Sequence, residues 1–488
     1  MKTHDVIIIG AGIIGCAAAR ALAKFSLTIL VLEQGADVSI GASKANSGIL
    51  HAGYDCKPHT QKALLNVQGL HMYKKLVDEL HIPHRFNGSL VVSTVEDGAE
   101  KLRRLYKQGI TNGVEGMELL TAQQVGALEP NLHPSVNGAL HAKTAGIVSP
   151  YEAVIAFAES AALNGVRFKL ETTVTSVDSL ENGYAVQTTR GTFNARVVIN
   201  CAGTESGNIA NLQRELAHVP PMVIHPQRGQ YYLLDNTQRG LISHTIFQLP
   251  THMGKGVLIA PTVDYNVLLG PTAEAVDDPR RESDPNATAT TRSGLQEALD
   301  KARLTLRNVP IHDRITAFAG VRAKHAQGDF IIEESPKNFI HAIGIDSPGL
   351  TAAPAIAEKL AKLALARLQP AENANFVKER PPIARFRDLS PAEQQRLIAF
   401  NPAYGNIVCR CETITQGEIQ DALKRFAALQ AGKLTPASLD ALKRRTRAQM
   451  GRCQGGFCTL RLIELIAREY KIPEGAVTKN GTQSEVTA

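Results

Sequence analysis

The sequence predicts an α/β protein, α+β in its overall make-up: a Rossmann-like nucleotide-binding domain interleaved with a mixed-sheet substrate part, followed by a small helical carboxy-terminal domain. Three observations carry this. A β-branched strand runs straight into Gly10-x-Gly12-x-x-Gly15, strand-and-loop composition fills residues 222–340, and four of the seven cysteines lie in the last fifth of the chain as Cys409-x-Cys411 and Cys453-x4-Cys458.

In chain order, residues 6–9 form a β-branched run suited to a buried parallel strand. Residues 13–24 form an alanine-rich helix able to pack closely on that strand, and residues 27–32 give the second strand, ended by Glu33. This is a βαβ unit. Residues 89–94 and 166–175 have strand composition, 149–163 read as a helix, and 196–200 give another buried strand. The mixed region holds strands near 231–234 and 257–259, and 352–368 close the first domain as an amphipathic helix. Pro370, Arg380-Pro381-Pro382 and Pro391, with several charges, mark 371–400 as a linker with room for one short helix. The expected division is therefore 1–370, the linker 371–400, a second domain over 401–470, and a polar tail over 471–488 that frays beyond Lys479.

The net charge of +7 is spread over many residues and favours small anionic substrates, anionic partners or a membrane surface. No recognition motif accompanies it, so nucleic acid is not an expected partner. The apolar stretch 6–19 resembles a secretory signal core, but the glycine spacing and Asp5 at its head argue against that. No run reaches the roughly 20 apolar residues needed to span a bilayer, which makes a cytoplasmic location the expectation. Cysteines without a secretory context do not form a disulfide framework. Cys16, Cys56 and Cys201 then read as buried packing residues, and the clustered four as metal ligands.

At the amino end, glycines 10, 12 and 15 allow a tight turn, close approach to a pyrophosphate and packing of the following helix, with Ile14 in its first turn. Glu33 lies 18 residues past Gly15, where a carboxylate can accept hydrogen bonds from a ribose. FAD rather than NAD follows from two later junctions, each of which would pass alone for an ordinary glycine turn. One is a strand ending in Ala202-Gly203. The other is the strand-to-helix segment 343–351, where amides near Gly349, Leu350 and Thr351 can stabilise negative charge on a reduced isoalloxazine.

At the carboxyl end, Cys409, Cys411, Cys453 and Cys458 form two close pairs separated by a helical segment, which fits a 2Fe-2S cluster. Structural zinc is the rival, although its four-cysteine sites more often use C-x2-C knuckles. Thr415-x-x-Glu418 reads as a capping box opening a helix just after the first pair. The run Lys443-Arg-Arg-Thr-Arg447 suits either a counter-charge to such a cluster or a solvated basic face.

Residues 1–368 resemble FAD-dependent oxidoreductases of the D-amino-acid-oxidase type, particularly bacterial glycerol-3-phosphate dehydrogenases and oxidases. The likeness rests on Gly10-Ala-Gly-Ile-Ile-Gly15, Gly41-Ala-Ser-Lys-Ala-Asn-Ser-Gly-Ile-Leu-His-Ala-Gly-Tyr54, Gly256-Val-Leu-Ile-Ala-Pro-Thr262, Gly270-Pro-Thr272, Ala319-Gly-Val-Arg322 and Ser347-Pro-Gly-Leu-Thr351. It implies that the stretch from Ser43 through Asn46 and Ser47 to Gly48 wraps the flavin, that Val174 meets the adenine end through its backbone, and that His51, Arg322 and Ser347 face the substrate. Residues 408–412, 446–447 and 450–458 resemble the bacterioferritin-associated-ferredoxin-like domain that ends anaerobic glycerol-3-phosphate dehydrogenase large subunits, an iron-sulfur domain.

Oxidising an alcohol with a flavin requires the hydroxyl proton to leave as hydride departs. Histidine, with an ordinary pKa of about 6.5, suits that task, and His51 is the expected base. Arg322 presents a planar fork for a phosphate or carboxylate, with Ser47, Ser347 and Lys255, flanked by glycines, as further substrate contacts. The expected activity is oxidation of sn-glycerol 3-phosphate to dihydroxyacetone phosphate, with electrons leaving through the cluster to acceptor subunits or a quinone chain, the enzyme docked peripherally at the inner face of the membrane if the latter. An L-2-hydroxyglutarate-type 2-hydroxyacid dehydrogenase shares the Asn-Ser-Gly-x-x-His-Ala-Gly element and is the alternative. A noncatalytic redox-sensing or assembly subunit is a second alternative of another class.

Overall fold

The computed structural model describes residues 3–214, 220–249, 256–276, 287–430 and 434–486. Strand β1 (Thr3–Ile9) leads into helix α1 (Ile13–Leu22) and strand β2 (Ile29–Leu32). β1 lies between two parallel neighbours, with Ile7 opposite Leu30 of β2 on one side and Val198 of the Gly191–Asn200 strand on the other. Such a strand is covered on both faces, which is why it reads as continuous Val and Ile: Val6, Ile7 and Ile8 have no exposed surface. The alanines of α1 bring its axis close to the Pro150–Leu163 and Gly349–Leu368 helices, whose small side chains share the same core.

The strand predicted over 166–175 is not continuous. It divides into Arg167–Lys169, which extends the sheet beyond β2, and Val174–Leu180, which opens a hairpin at the opposite edge. Glu171 turns the chain between them at φ +48°, a left-handed conformation that no strand accommodates.

A second sheet has nine strands among the described residues. Its long Ile224–Leu234 strand pairs antiparallel with Arg314–His325, and Thr245–Gln248 lies parallel to Ser89–Ser93 although far from it in sequence. Residues from three separated stretches of chain thus build one wall.

The carboxy-terminal residues form a short Ile407–Cys409/Ile414–Thr415 hairpin and the helices Gln416–Leu429, Leu439–Thr446 and Thr459–Tyr470. The capping box is present: the Glu418 amide donates to Thr415 Oγ1, and the Thr415 amide donates to Glu418 Oε2. Phe426, Leu442 and Ile466 belong to the same apolar cluster as Phe157 and Phe168 of the first domain, so no solvated gap separates the two parts.

Ion pairs reinforce that seam. Arg444 and Arg445 donate to the fully buried Asp37 at 2.7, 2.6 and 2.8 Å, and Arg447 bridges Asp264 and Glu412, each at 2.8 Å. The basic run is therefore neither a solvated face nor mainly a cluster counter-charge. It is a clasp between domains, and only Arg447 reaches a neighbour of the thiols. The residues expected to fray also pack: Thr482 donates from its amide and hydroxyl to Glu171, while residues 478 and 485 pair. Within 371–400, Pro391–Phe400 is a helix capped by Ser390 and Glu393.

Candidate active site

The glycine turn is built as its residue types require. Gly10 sits at φ +99°, and a side chain there would meet the Cys201 carbonyl oxygen at 2.6 Å. A Cβ at Gly15 would lie 2.0 Å from the Gly10 carbonyl oxygen, so only glycine lets α1 seat against the turn. Glu33 accepts hydrogen bonds from the Ala11 amide at 2.7 Å and the Gly35 amide at 2.8 Å. Burial pushes its carboxyl above the ordinary range and those amides partly pull it back. Glu33 thus fixes the turn as well as facing the cavity.

Helix α1 and the Gly349–Leu368 helix begin without a side-chain cap from the residue before them, as do the Gly98–Thr111, Pro150–Leu163 and Thr459–Tyr470 helices. The starts of the first two open into one cavity of about 1590 Å³. The Ile13 amide is taken by Ser43 Oγ and the Gly349 amide by the Asp346 carbonyl, and the remaining first-turn amides with the helix dipole favour negative charge at two separated points. A long cavity with one such end beside a glycine turn and another beside His51 fits a flavin dinucleotide, with its diphosphate at the first and its isoalloxazine at the second.

Every sequence-predicted nucleotide residue except Gly15, Gly48 and Thr351 lines that cavity, together with His51, Arg322 and Ser347. Gly15 acts through the helix seating described above. Thr351 is fully buried and works as a clamp: its Oγ1 donates to the Ile49 carbonyl at 3.2 Å and accepts the His51 amide at 2.9 Å. Asn66 Nδ2 donates to the His51 carbonyl at 3.0 Å. The His51 backbone is therefore held on both sides, and its ring lies 5.6 Å, centroid to centroid, from that of Phe247. Asn46 shapes the wrapping loop by accepting the Gly48 amide at 2.8 Å, and Ser43 Oγ accepts the Ile13 amide at 3.0 Å. Lys255 lies outside the described residues.

Arg322 projects from the Arg314–His325 strand and is only half-buried. Its Nη1 donates to Gln227 Oε1 at 3.0 Å and its Nη2 to the Thr272 carbonyl at 3.3 Å. Gly229 makes room for it, since a Cβ there would stand 2.6 Å from Nη2. Burial raises the Tyr231 hydroxyl above its ordinary pKa, and Arg322, hydrogen-bonded to it, partly offsets this. Gln227, Tyr231 and Phe247 escaped the sequence reading. Their strand pattern alone gives no sign that they line a cavity.

The four thiols lie as two neighbouring pairs, Cys409 beside Cys458 and Cys411 beside Cys453. Each pair takes one cysteine from each motif. The Cys458 thiol and the Gln449 and Glu412 amides together push Cys409 down to about 6. The Phe457 amide leads in lowering Cys453. Gly451 closes the loops on one another, a Cβ there falling 2.3 Å from that of Cys411, and Arg410 stacks 4.3 Å over the Phe457 ring. Four neighbouring cysteines with backbone amides near their sulfurs fit the ligand chemistry of a 2Fe-2S cluster, which Cys409, Cys411, Cys453 and Cys458 would hold. Among the described residues no three His, Cys, Asp or Glu are grouped as a single-ion site.

The two centres adjoin. Tyr151, Asp264, Arg447, Met450 and Gln454 line the dinucleotide cavity, and Gln454 directly follows Cys453. Tyr151 Oη donates to Met450 Sδ at 3.5 Å and accepts from Arg447 at 3.3 Å. Among the described residues no helix is long and apolar enough to cross a membrane.

Comparison with known proteins agrees with this geometry. The FAD dependent oxidoreductase family model matches residues 5–363, and the BFD-like 2Fe-2S binding domain model matches residues 407–468. A glycerol 3-phosphate dehydrogenase of Caloramator mitchellensis is 42% identical over 481 residues, covering 98% of this chain and 96% of its own. A glycerol 3-phosphate oxidase of Mycoplasma pneumoniae is 30% identical over 385 residues, covering 77% of this chain and 98% of its own. The solved structure of dithionite-reduced L-alpha-glycerophosphate oxidase from Mycoplasma pneumoniae with FAD bound superposes with a TM-score of 0.72 at 28% identity, over 78% of this chain and all of that one.

Proposed function

The chain belongs to the FAD-dependent oxidoreductase family and carries a 2Fe-2S domain, and from that premise we propose that it is a dehydrogenase that oxidises sn-glycerol 3-phosphate to dihydroxyacetone phosphate and passes the electrons on through the cluster. The observation that carries this reading is that one cavity is lined by His51, Arg322, the start of the Gly349–Leu368 helix and Gln454, the residue next to Cys453.

Bound FAD supplies the hydride acceptor for the secondary alcohol carbon, and the cluster supplies a one-electron outlet. The protein does the rest. Arg322, steadied by Gln227 and Thr272, pairs with the phosphate and keeps guanidinium N–H groups for it. His51, its backbone fixed by Thr351 and Asn66, takes the hydroxyl proton. Ser47 and Ser347 line the same space and offer hydroxyls to the substrate. Phe247 and Tyr231 keep water from the reacting carbon. Cys411 and Cys453 are exposed beside the exposed Phe457 and Leu460, which gives an electron-accepting protein or quinone system an approach to the cluster.

The near full-length relation to a glycerol 3-phosphate dehydrogenase favours this substrate over a 2-hydroxyacid. Steady-state assay with an artificial dye acceptor tests the proposal. Activity is expected on sn-glycerol 3-phosphate and not on L-2-hydroxyglutarate, and His51→Ala should lose about 10²- to 10⁴-fold in kcat with its flavin retained. Turnover of L-2-hydroxyglutarate alone would replace the substrate assignment, and normal turnover by His51→Ala would remove the base.

A further inference from the structure

We propose that the Leu439–Thr446 helix of the carboxy-terminal domain completes the dinucleotide site, with Lys443 from that helix and Lys44 from the wrapping loop together contacting the FAD diphosphate.

Both lysines line the cavity that holds the glycine turn. Lys44 directly follows Ser43, whose Oγ accepts the Ile13 amide at 3.0 Å, so the loop carrying Lys44 lies against the first turn of α1. Lys443 is set in place by its neighbour: Arg444 Nη2 donates to Asp37 at 2.7 Å, and the Ser39 amide two residues on donates to the Ala11 carbonyl inside the glycine turn at 3.0 Å. The clasp between domains therefore delivers Lys443 to the mouth of the phosphate end.

The charges at this spot do not balance within the protein. Lys44, Lys443, Arg444 and Lys479 approach one another, with Asp440 as the acid among them. Lys479 pairs with Asp440 and Arg444 with Asp37. The ammonium groups of Lys44 and Lys443 have no ion pair or hydrogen bond among the described residues. Lys44 is exposed and Lys443 half-buried at the cavity wall, and partial desolvation together with the neighbouring cations holds both ammoniums below the usual lysine range. Cations crowded at a cavity wall without a counter-charge favour a ligand that supplies one. The phosphates are the anionic groups of FAD, and the amides at the start of α1 already favour an anion there.

The test is FAD titration of the full-length apoflavoprotein with its cluster in place, followed by quenching of flavin fluorescence at several salt concentrations. Lys443→Gln and Lys44→Gln should each raise the FAD dissociation constant about tenfold, the scale of a charge-assisted hydrogen bond, and flatten its salt dependence. Lys443→Arg should stay within about twofold of the parent, because it keeps the charge. Iron and acid-labile sulfide per chain should be the same in all variants. Unchanged FAD affinity in the Lys44→Gln/Lys443→Gln double variant would overturn the proposal. So would an equal loss in Lys443→Arg and Lys443→Gln, or a raised KM for sn-glycerol 3-phosphate at unaltered FAD affinity, which would place the lysines on the substrate path. The outcome does not depend on which alcohol the enzyme oxidises.

Discussion

Replacing Asp37 by Asn isolates the clasp between the two domains. Asp37 has no exposed surface and receives three charge-assisted hydrogen bonds, at 2.7, 2.6 and 2.8 Å, from Arg444 and Arg445, which are themselves nearly buried. The variant keeps the volume but leaves two buried guanidiniums facing a neutral amide. Breaking a buried pair from one side costs about 3–5 kcal/mol, and three short bonds on one carboxylate place this case within that range. At about 1.36 kcal/mol per tenfold, the opening equilibrium of the Leu439–Thr446 helix should rise at least roughly a hundredfold. Hydrogen exchange of that helix's amides reads the opening directly. Protection there should fall by about two orders of magnitude while the amides of β1 keep theirs. Equal protection in variant and parent would refute the reasoning, since it would mean that the apolar seam alone holds the helix.

The same pair sets a pH dependence. Burial pushes the Asp37 carboxyl upward, but Arg445 and Arg444 overcome this and hold it below the ordinary carboxylate value. A depressed folded-state pKa stabilises the docked form fully above the unfolded value of about 3.9, and the contribution is lost as pH falls through the lower, folded value. Docking of the helix should therefore be insensitive to this group from neutrality down to about pH 4 and weaken only below it. Asp37→Asn should lack that acid-limb component.

Other substitutions probe the remaining parts. Arg322→Lys keeps the charge but loses the fork, and KM for sn-glycerol 3-phosphate should rise about 10- to 100-fold with a much smaller change in kcat; an unchanged KM would remove Arg322 from the substrate site. Gly320→Ala would put a Cβ 2.0 Å from the Ala45 carbonyl oxygen, so the flavin-wrapping loop must shift at a cost of about 1–3 kcal/mol, seen as lower thermal stability and faster FAD loss on dialysis. Cys453→Ser should lower iron and acid-labile sulfide while leaving flavin content intact, and full iron content would exclude Cys453 as a ligand.

Features encoded locally were legible in the sequence. The βαβ unit follows from a strand, spaced glycines and an acid at the next strand end, and each of these fixes its own neighbourhood. The Thr415 capping box and the two cysteine pairs are likewise short-range patterns. Pairings over long separations were not legible. Arg444 and Arg447 looked like a solvated or cluster-facing run because Asp37 and Asp264, which neutralise them, lie far upstream in the chain. The Thr351 hydroxyl, about which the sequence said nothing, bonds the backbone of Ile49 and His51, a contact set only when the Gly349–Leu368 helix docks. The split of 166–175 turns on one left-handed residue, Glu171, whose side-chain chemistry announces no turn.

An anaerobic titration with sn-glycerol 3-phosphate, followed by absorption and by electron paramagnetic resonance at low temperature, tests the central claim most directly. Loss of the oxidised-flavin band accompanied by the signal of a reduced 2Fe-2S cluster is the predicted result. A flavin band that persists with excess substrate, or a flavin that bleaches while the cluster stays oxidised even after dithionite has shown it reducible, would contradict the account.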